Sequence, residues 1–526
     1  MNECKKREYL KNVFPCLYYG IMCGVAVGAV IFLFKLAAKK AESVSRFLYS
    51  TAKENPIYIV CTFLVLAVCA LAMCFLHKKA PEVRGGGIPR SEGVLRGVLS
   101  FRWARTLFGT FFGSVISFLC AVPVGSEGPA VLMGTSLGAM CGKVSKNQTT
   151  WNRYIMTGGA GAGFAVATGA PLSGILFALE EIHKRFTPML VLTVSSSVIS
   201  ATYINRLLCS AFGMDPNMLH IETLAGFELS HVGYLLLLGA MVALAVALFD
   251  SSIAFLTVFT KKHKKYLTAP LMMLTVFLAT GALAFTFSDG VYSGHDAILE
   301  VAFESKTFSF LIILFIVRLL MMLLVTDSGA TGGIFIPTLA IGAAFSAIAS
   351  KILVLIGMPE SLFATAVILG MCAFIGGTLR APLTASILFI ELTLQFSDFM
   401  YVALVVFAVS FITEIFNLTP FYDLALENME HAQNEGRVAS ISNFEMTVSK
   451  GAFVVGKTVR DIMWPSSSTV ISIKRADEIE EDTDNNGEKK LYAGDTVVLH
   501  AKYFDEEELK ELLFGLVGRE SEINKI

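Results

Sequence analysis

The chain has 526 residues, of which 54% are hydrophobic and only 16% are charged. Soluble domains carry about 25% charged residues, so this composition, with a mean hydropathy of +0.65, excludes an ordinary soluble protein. The formal net charge is −1 and no basic face is visible in the sequence, which argues against a nucleic-acid partner.

Apolar stretches long enough to cross a lipid bilayer, about 20 residues each, recur from the beginning of the chain almost to residue 420. Five of them cover residues 17–36, 57–76, 235–258, 271–287 and 308–325. We therefore expect an all-α membrane protein with many spans. The charged start MNECKKREYLKNVFPC has no small-residue cleavage site, so we interpret it as a retained cytoplasmic N-terminus. Basic clusters at 5–7 and 261–265 are expected on the same side of the membrane.

Three Gly/Pro-rich breaks interrupt the apolar sequence: GGGIP at 85–89, GSEGP at 125–129 and GGIFIP at 332–337. Glycine permits sharp turns and proline suits the first helical position, so each break predicts a loop that begins a helix within the membrane. The N–H groups and the dipole at a helix start attract anions without a full charge, which lets the ion leave again. Taken singly, each break also fits packing glycines of a kinked membrane helix.

Two acidic positions stand out in this apolar setting. Glu127 lies at the mouth of the second break, where its carboxylate can occupy an anion site and, once protonated, swing away; the alternative is a simple helix cap. The pair Glu180 and Glu181 ends the run GILFALEE, just before His183 and two further basic residues. Acids at membrane depth are candidates for proton relays, although acids beside basic residues also fit ordinary interfacial salt bridges.

The membrane part contains an internal repeat. The segment APLSGILFALEE at 170–181 matches APLTASILFIEL at 381–392, and PAVLMG at 129–134 matches PTLAIG at 337–342. Duplicated halves are typical of transporters, whose sites lie where interrupted helices end at the repeat interface. We expect a membrane domain over 1–430 with halves at about 15–215 and 230–425. Glu391, in the second copy, is expected to serve structure.

The composition changes near residue 430, where a polar linker over 431–437 precedes a small α/β domain over 438–518. Strands are predicted for SNFEMTV, TVISIKR and TVVLHAK, and a short helix is predicted for GKTVRDIM. The segment DEEELKELLFGLV predicts an amphipathic helix and EIEEDTDNNGEKK a charged loop.

Several motifs in order carry a resemblance to a known family: KAPEVRGGGIP, VGSEGPAVLMG, APLSGILFALEE, GATGGIFIPTLAIG, RAPLTASILFIELT and TPFYDLAL. On these residues, over about 15–425, the chain is identified as a member of the CLC family of chloride channels and chloride/proton antiporters, closest to its bacterial members. The resemblance implies a homodimer in the plasma (inner) membrane of a bacterium, with both termini cytoplasmic. It also implies two inverted halves of tilted, partly broken helices and a separate ion pathway in each subunit.

The resemblance further implies roles for single residues. Glu127 matches the gating glutamate that competes with chloride at the external end, and Glu181 matches the inner proton-relay glutamate of the antiporters. The tyrosine hydroxyl that contacts the central anion is matched by Tyr422. The complete expected chloride-binding set is Gly86, Gly87, Ile88, Gly128, Ile334, Phe335 and Tyr422.

Two residues depart from the family pattern. The family's GSGIP is GGGIP here, so Gly86 stands where a serine hydroxyl normally helps to bind the anion, a loss of about 1 kcal/mol or more. The usual GREGP is GSEGP, so Ser126 replaces an arginine beside the gate. Both changes predict weaker chloride binding. Pro129 is retained, which counts against the members specialised for fluoride.

These observations favour a chloride/proton antiporter. A passive chloride channel, or an exchanger for nitrate or fluoride, is the alternative. A cation channel needs rings of carbonyls or carboxylates, which these helix starts do not offer. An intramembrane hydrolase needs a catalytic grouping, and the eight histidines show none. We expect no enzymatic activity, no metal and no cofactor.

The C-terminal segments VGKTVRDIMWPSSSTVISIKR and LYAGDTVVLHA resemble the RCK_C (TrkA-C) module of bacterial potassium-uptake and potassium-channel regulators. Such modules dimerise, and some bind cyclic di-nucleotides. The resemblance therefore implies a regulatory domain with a possible small ligand.

Overall fold

The computed structural model describes residues 3–144, 149–219, 221, 224–263, 266–416, 419–434, 438–465, 468–475 and 487–526. Over these residues the membrane part is helical throughout. Its helices are α1 (Glu3–Ala52), α2 (Pro56–Lys79), α3 (Gly87–Arg96), α4 (Trp103–Leu119), α5 (Glu127–Val144), α6 (Thr149–Thr168), α7 (Pro171–Phe177), α8 (Pro188–Phe212), α9 (Val232–Lys262), α10 (Ala269–Thr286), α11 (His295–Phe303), α12 (Phe308–Ser328), α13 (Phe335–Leu355), α14 (Phe363–Leu379), α15 (Pro382–Thr393), α16 (Phe399–Ile415) and α17 (Phe421–Gln433).

Local sequence signals define many of these helix starts. Asn55 precedes α2, and its side chain accepts a hydrogen bond from the Ile57 N–H at 2.9 Å. Thr187 accepts from the Leu190 N–H at 3.3 Å in front of α8, which has proline at its first position. Each cap satisfies an N–H that the helix itself leaves unpaired.

Within the described residues, nine helices are long and apolar enough to cross a membrane. All five apolar stretches predicted as spans fall on such helices, so the prediction of many membrane spans is confirmed. Helix α2 exposes large apolar side chains, such as Leu64 and Val68, as expected of a surface that faces lipid. Helices α5, α13 and α14 are almost entirely buried and form the centre of the domain.

The repeated segments bind each other through matched contacts. Glu180 accepts the backbone N–H groups of Leu383 (3.0 Å) and Thr384 (2.7 Å) at the start of α15. Glu391 accepts those of Leu172 and Ser173, both at 2.8 Å, at the start of α7. The two acids are 211 residues apart, as are the amides that they bind. Each half therefore caps a short helix of the other half, and the expected structural role of Glu391 is confirmed by its contacts.

The C-terminal domain is an antiparallel sheet with one helix. Its elements are β1 (Ser440–Thr447), β2 (Ser468–Lys474), β3 (Thr496–Tyr503), α18 (Glu506–Val517) and β4 (Ile523–Lys525), with strand order β2-β3-β1-β4. The three predicted strands and the amphipathic helix are confirmed. Strand β4, which pairs with β1, was not predicted, because three residues are too few to show an alternating pattern.

Three further predictions for this part of the chain have different outcomes. The short helix predicted for GKTVRDIM is only a single 3₁₀ turn, Val459–Asp461, because the Val459 N–H donates to the Lys489 carbonyl (3.0 Å) instead of continuing a helix. The charged loop lies largely outside the described residues. Helix α17 continues to Gln433, so the first residues of the predicted linker are helical.

The C-terminal domain packs against the beginning of α6. The Tyr154 hydroxyl donates to the Asp461 carbonyl at 2.8 Å, and Arg153 donates to the Trp464 carbonyl at 3.2 Å. Phe453 meets Trp151 edge-on, with ring centroids 5.5 Å apart. Aromatic pairs of this kind stabilise a contact beyond the effect of the area that they bury. The domain therefore packs at a defined position on the membrane part.

Candidate functional site

The three Gly/Pro-rich breaks begin α3, α5 and α13, as predicted, and their backbones meet. A Cβ on Gly87 would lie 2.2 Å from the Gly128 carbonyl oxygen, and one on Gly128 would lie 2.8 Å from the Gly333 Cα. Gly86 is close to Ile334, whose Cγ1 would be 3.5 Å from a Cβ at position 86. Only residues without side chains permit the closest of these approaches. The positive ends of three helices therefore converge on one point, which favours an anion.

The loops before α5 and α13 are joined directly. The Gly125 N–H donates to the Gly333 carbonyl at 2.6 Å, and the Gly333 N–H donates to the Gly125 carbonyl at 2.7 Å. These two glycines are 208 residues apart, the same offset as the repeat around them. The helix starts thus lie at the interface of the two halves, where a transporter of this architecture places its substrate.

Glu127 is the first residue of α5 and is fully buried. Its Oε1 accepts a hydrogen bond from the Ser126 hydroxyl at 2.9 Å. The carboxylate also lies within electrostatic reach of its own backbone N–H, of the Ile336 N–H in the first turn of α13, and of Lys35. A carboxylate therefore occupies the position that the helix starts prepare for an anion.

Tyr422 lies in the first turn of α17 and is also buried. Its side chain is 1% exposed, and its hydroxyl is within electrostatic reach of Glu181 and Glu127. Among the described residues the hydroxyl has no hydrogen-bond partner. A buried O–H without a partner is costly, so this group is suited to donate to an anion. Tyr422 also belongs to the same buried cluster as Ile88, Ile334 and Phe335.

The adjacent acids Glu180 and Glu181 have different surroundings. Glu180 is held by three hydrogen bonds to α15, including one from the Thr384 hydroxyl at 2.7 Å. Glu181 is 2% exposed and lies in a π-helical turn, Ala178–Ile182, a feature that often marks functional sites. The three hydrogen bonds to α15 therefore engage Glu180 and leave the neighbouring Glu181 for another role.

Glu127 and Glu181 lie toward opposite faces of the membrane part. Helix α5 runs 18 residues from Glu127, about 27 Å, and α6 packs alongside it. The Tyr154 hydroxyl, near the beginning of α6, donates to the C-terminal domain. One turn further along α6, the Thr157 hydroxyl contacts His183 Nδ1 at 3.4 Å. The segment that carries Glu181 is therefore on the side of the C-terminal domain, and Glu127 is far from it.

A cavity of about 570 Å³ opens beside Glu181. Its wall includes Glu180, Lys184, Arg380 and Asp423, so it carries charges of both signs. Its charged lining next to a buried acid has the polar character that the path of a proton or an anion needs.

Three residues near the site were not singled out from the sequence. Lys35, on α1, is a cation within electrostatic reach of Glu127, and its ammonium donates to two backbone carbonyls. Phe164 stacks on Phe177 (4.2 Å) and meets Phe335 edge-on (5.0 Å), which links the start of α13 to the segment before Glu181. A lone lysine within an apolar span was a usable signal for Lys35; the two phenylalanines were indistinguishable from other apolar residues.

Comparison with known families shows to which family the chain belongs. Residues 68–414 match the family model described as voltage gated chloride channel. The chain belongs to the CLC family. It is similar to the H(+)/Cl(-) exchange transporter ClcA of Vibrio cholerae serotype O1, with 33% identity over 396 residues that cover 73% of this chain and 83% of that relative. The ClcA of Vibrio vulnificus is 30% identical, with coverage of 72% and 82%.

A solved structure supports the same fold for this CLC protein. The X-ray structure of a slow cyanobacterial Cl-/H+ antiporter aligns with a TM-score of 0.74 and 27% identity, covering 80% of this chain and 99% of that one. The family match ends at residue 414, before the C-terminal sheet begins. The expected fold, a CLC membrane domain followed by a small α/β domain, is confirmed.

Proposed function

We propose that this CLC protein exchanges chloride for protons across the membrane. The observation that carries the proposal is the meeting of three helix starts at the repeat interface, with Glu127 at one of them and Glu181 toward the opposite face. The helix starts and Tyr422 suit a chloride ion, whereas the two buried acids suit a proton. The relatives named as H(+)/Cl(-) exchange transporters support the same function.

In this mechanism the anion is held by neutral groups. Backbone N–H groups at Gly87, Gly128, Ile334 and Phe335 and the Tyr422 hydroxyl supply partial positive charge, so binding remains weak enough for release. Gly86 and Ile88 complete the backbone around the anion. Because Gly86 offers no hydroxyl, the site has one donor fewer than the family pattern.

Glu127 alternates between two states. As a carboxylate it occupies the anion position near the start of α5 and blocks the outer end. After protonation it loses its attraction to the helix dipoles and swings away, which lets chloride take its place. Glu181 passes the proton to or from the cavity on the side of the C-terminal domain. Protonation of Glu127 thus opens the path for chloride and at the same time binds the proton that is transported.

The charge distribution and the docked domain support an orientation in a bacterial inner membrane. A polar domain such as the C-terminal sheet remains in water, and the basic clusters near the N-terminus favour the cytoplasmic side. Both termini would then be cytoplasmic, with Glu127 facing outward. Assembly as a homodimer in the lipid bilayer, and a regulatory small ligand such as a cyclic di-nucleotide on the C-terminal domain, belong to the same proposal.

The experiment is flux through purified full-length protein in liposomes under a chloride gradient, with an ionophore controlling the voltage. We expect outward chloride movement to drive uphill proton uptake in the wild type. In Glu127→Ala, chloride movement remains and proton uptake falls to the leak of empty liposomes. Chloride flux without proton movement in the wild type would identify a channel, the second candidate, which the lost donor at Gly86 favours because weak binding loosens coupling.

A further inference from the structure

A group of ion pairs beside the cavity at Glu181 has no role in the proposed function. The Lys184 ammonium pairs with Asp423 Oδ1 at 2.7 Å and with Glu92 Oε1 at 3.2 Å. Arg96 also pairs with Glu92 Oε1, at 3.0 Å. We call these four residues, Glu92, Arg96, Lys184 and Asp423, the inner ion cluster.

The backbone around Lys184 has an uncommon conformation. Lys184 has φ of +52°, in the left-handed region that residues with side chains rarely adopt. The next N–H, of Arg185, donates back to the Leu179 carbonyl at 3.0 Å, and the preceding one, of His183, donates to the Ala178 carbonyl at 3.1 Å. A conformation of this kind persists only where the surroundings hold it, and it is common at functional sites.

Lys184 joins the three parts of the transport site. Glu92 lies in α3, whose start contributes to the anion site. Asp423 directly follows Tyr422 in α17. Glu181 is three residues before Lys184, lines the same cavity and interacts with its ammonium electrostatically. A change of charge at Glu181 is therefore felt by a cation that also holds the neighbour of Tyr422.

We propose that Lys184 is a positioning residue that links the charge on Glu181 to the position of Tyr422, whose hydroxyl donates to the anion in the proposed function. This inference rests on the proposed function and adds a residue to it. With Glu181 deprotonated, the ammonium is shared among Glu181, Glu92 and Asp423, so α17 is held weakly. With Glu181 protonated, the ammonium is left to the other two acids and holds α17, and with it Tyr422, in place. The charged groups that face the ammonium or line its cavity are Glu92, Arg96, Glu180, Glu181, Asp423, Arg380 and Glu414.

The test uses full-length protein in liposomes with Lys184→Met, Asp423→Asn and the double variant. We measure chloride turnover and the number of protons moved per chloride. Each single variant is expected to raise chloride turnover about two- to fivefold, the range for loss of one partly exposed ion pair, and to lower the protons per chloride. The double variant should equal Lys184→Met, because that change already removes the contact with Asp423. Lys184→Arg should retain wild-type values.

Arg46→Gln is the matched control. It removes a partly exposed ion pair to Asp296 (2.6 Å) that lies outside the inner ion cluster, and both readouts should stay unchanged. Asp423→Asn nearly preserves side-chain shape, so it tests the proposal even where Lys184→Met fails to fold.

The proposal is overturned if both single variants keep wild-type turnover and protons per chloride, or if their effects simply add in the double variant. A wild type that moves chloride without protons would instead contradict the proposed antiport. In that case the chloride turnover of the variants still decides whether Lys184 positions Tyr422.

Discussion

The two halves of the membrane domain use the same backbone with different side chains at matched positions. Helices α5 and α13 begin at Glu127 and Phe335, which are 208 residues apart within the repeat. Glu181 corresponds to Leu392 at the offset of 211. The helix starts of α5 and α13 at the anion site are therefore duplicated, whereas both acids assigned to proton movement in the proposed function belong to the first half.

A third matched position shows the opposite pattern. Glu180 and Glu391 are acids in both halves and make equivalent hydrogen bonds to the other half's short helix. An acid that is retained in both copies therefore serves the architecture that the two halves share. An acid present in one copy alone is free for a function that the duplication does not supply.

The largest expected effect separates Glu181 from its neighbour. Glu181→Gln should reduce chloride-driven proton uptake in liposomes to the leak of empty liposomes while chloride still moves, because an amide carries no titratable proton. Glu180→Gln should keep proton uptake but lower stability by about 1–3 kcal/mol, since the charged partner of two N–H groups at the start of α15 is lost. Thermal unfolding in nanodiscs measures the second effect.

Glu391→Gln is the control in the second half. It should match Glu180→Gln in stability and in transport. Equal loss of proton uptake in Glu180→Gln and Glu181→Gln would contradict the division of roles between these two acids.

The close approach of the helix starts can be broken at the anion site itself. Gly87→Ala places a Cβ 2.2 Å from the Gly128 carbonyl oxygen, so the helix starts must move apart. The cost of such overpacking is about 1–3 kcal/mol, and we expect chloride flux to fall by roughly tenfold. Gly233→Ala, where a Cβ meets nothing within 4 Å, should leave flux unchanged. Similar flux in the two variants would argue against close approach of the helix starts.

The stability of the C-terminal domain, which packs against α6 of the first half, should depend on pH through Lys457. Burial, partly offset by Cys16 on α1, lowers the pKa of Lys457 to about 8, and its ammonium lies over the Phe453 ring, 3.6 Å from the centroid. The charged form is penalised in the docked, folded state. The penalty is therefore complete below pH 8 and fades as the pH rises toward the ordinary lysine value of about 10.4.

We expect the stability of the docked domain to rise over that window by about 3 kcal/mol at most, since one pKa unit corresponds to about 1.4 kcal/mol. Tryptophan fluorescence during unfolding of the full chain measures it. Lys457→Met should remove the pH dependence and stabilise the domain at pH 7. An unchanged pH dependence in that variant would assign the effect to another group.

The smallest expected effect concerns anion preference. Gly86 has φ of −72°, and a Cβ there would make ordinary contacts with Ile334, so Gly86→Ser fits without strain. The added hydroxyl should strengthen chloride binding by about 1 kcal/mol, about fivefold, and raise chloride flux relative to nitrate. Flux of the two anions in the same liposomes gives the ratio, and a ratio equal to that of the wild type would show that the hydroxyl does not reach the anion.

The sequence was sufficient for the features that depend on backbone chemistry. The apolar spans, the helix starts at the three breaks and the repeat all follow from local composition and spacing. The contacts between distant residues were not predictable in this way. The pairing of Lys184 with Asp423, and the position of Lys35 near Glu127, depend on how helices pack across more than 90 residues of chain, for which one sequence carries no signal.

The most direct measurement is the reversal potential of the full-length protein in a planar bilayer under opposing chloride and proton gradients. Coupled exchange predicts a zero-current voltage displaced from the chloride equilibrium potential toward the value set by both gradients. It also predicts that Glu181→Gln returns this voltage to the chloride equilibrium potential. A wild type whose current reverses at the chloride equilibrium potential would contradict the antiport and leave the anion site as that of a channel.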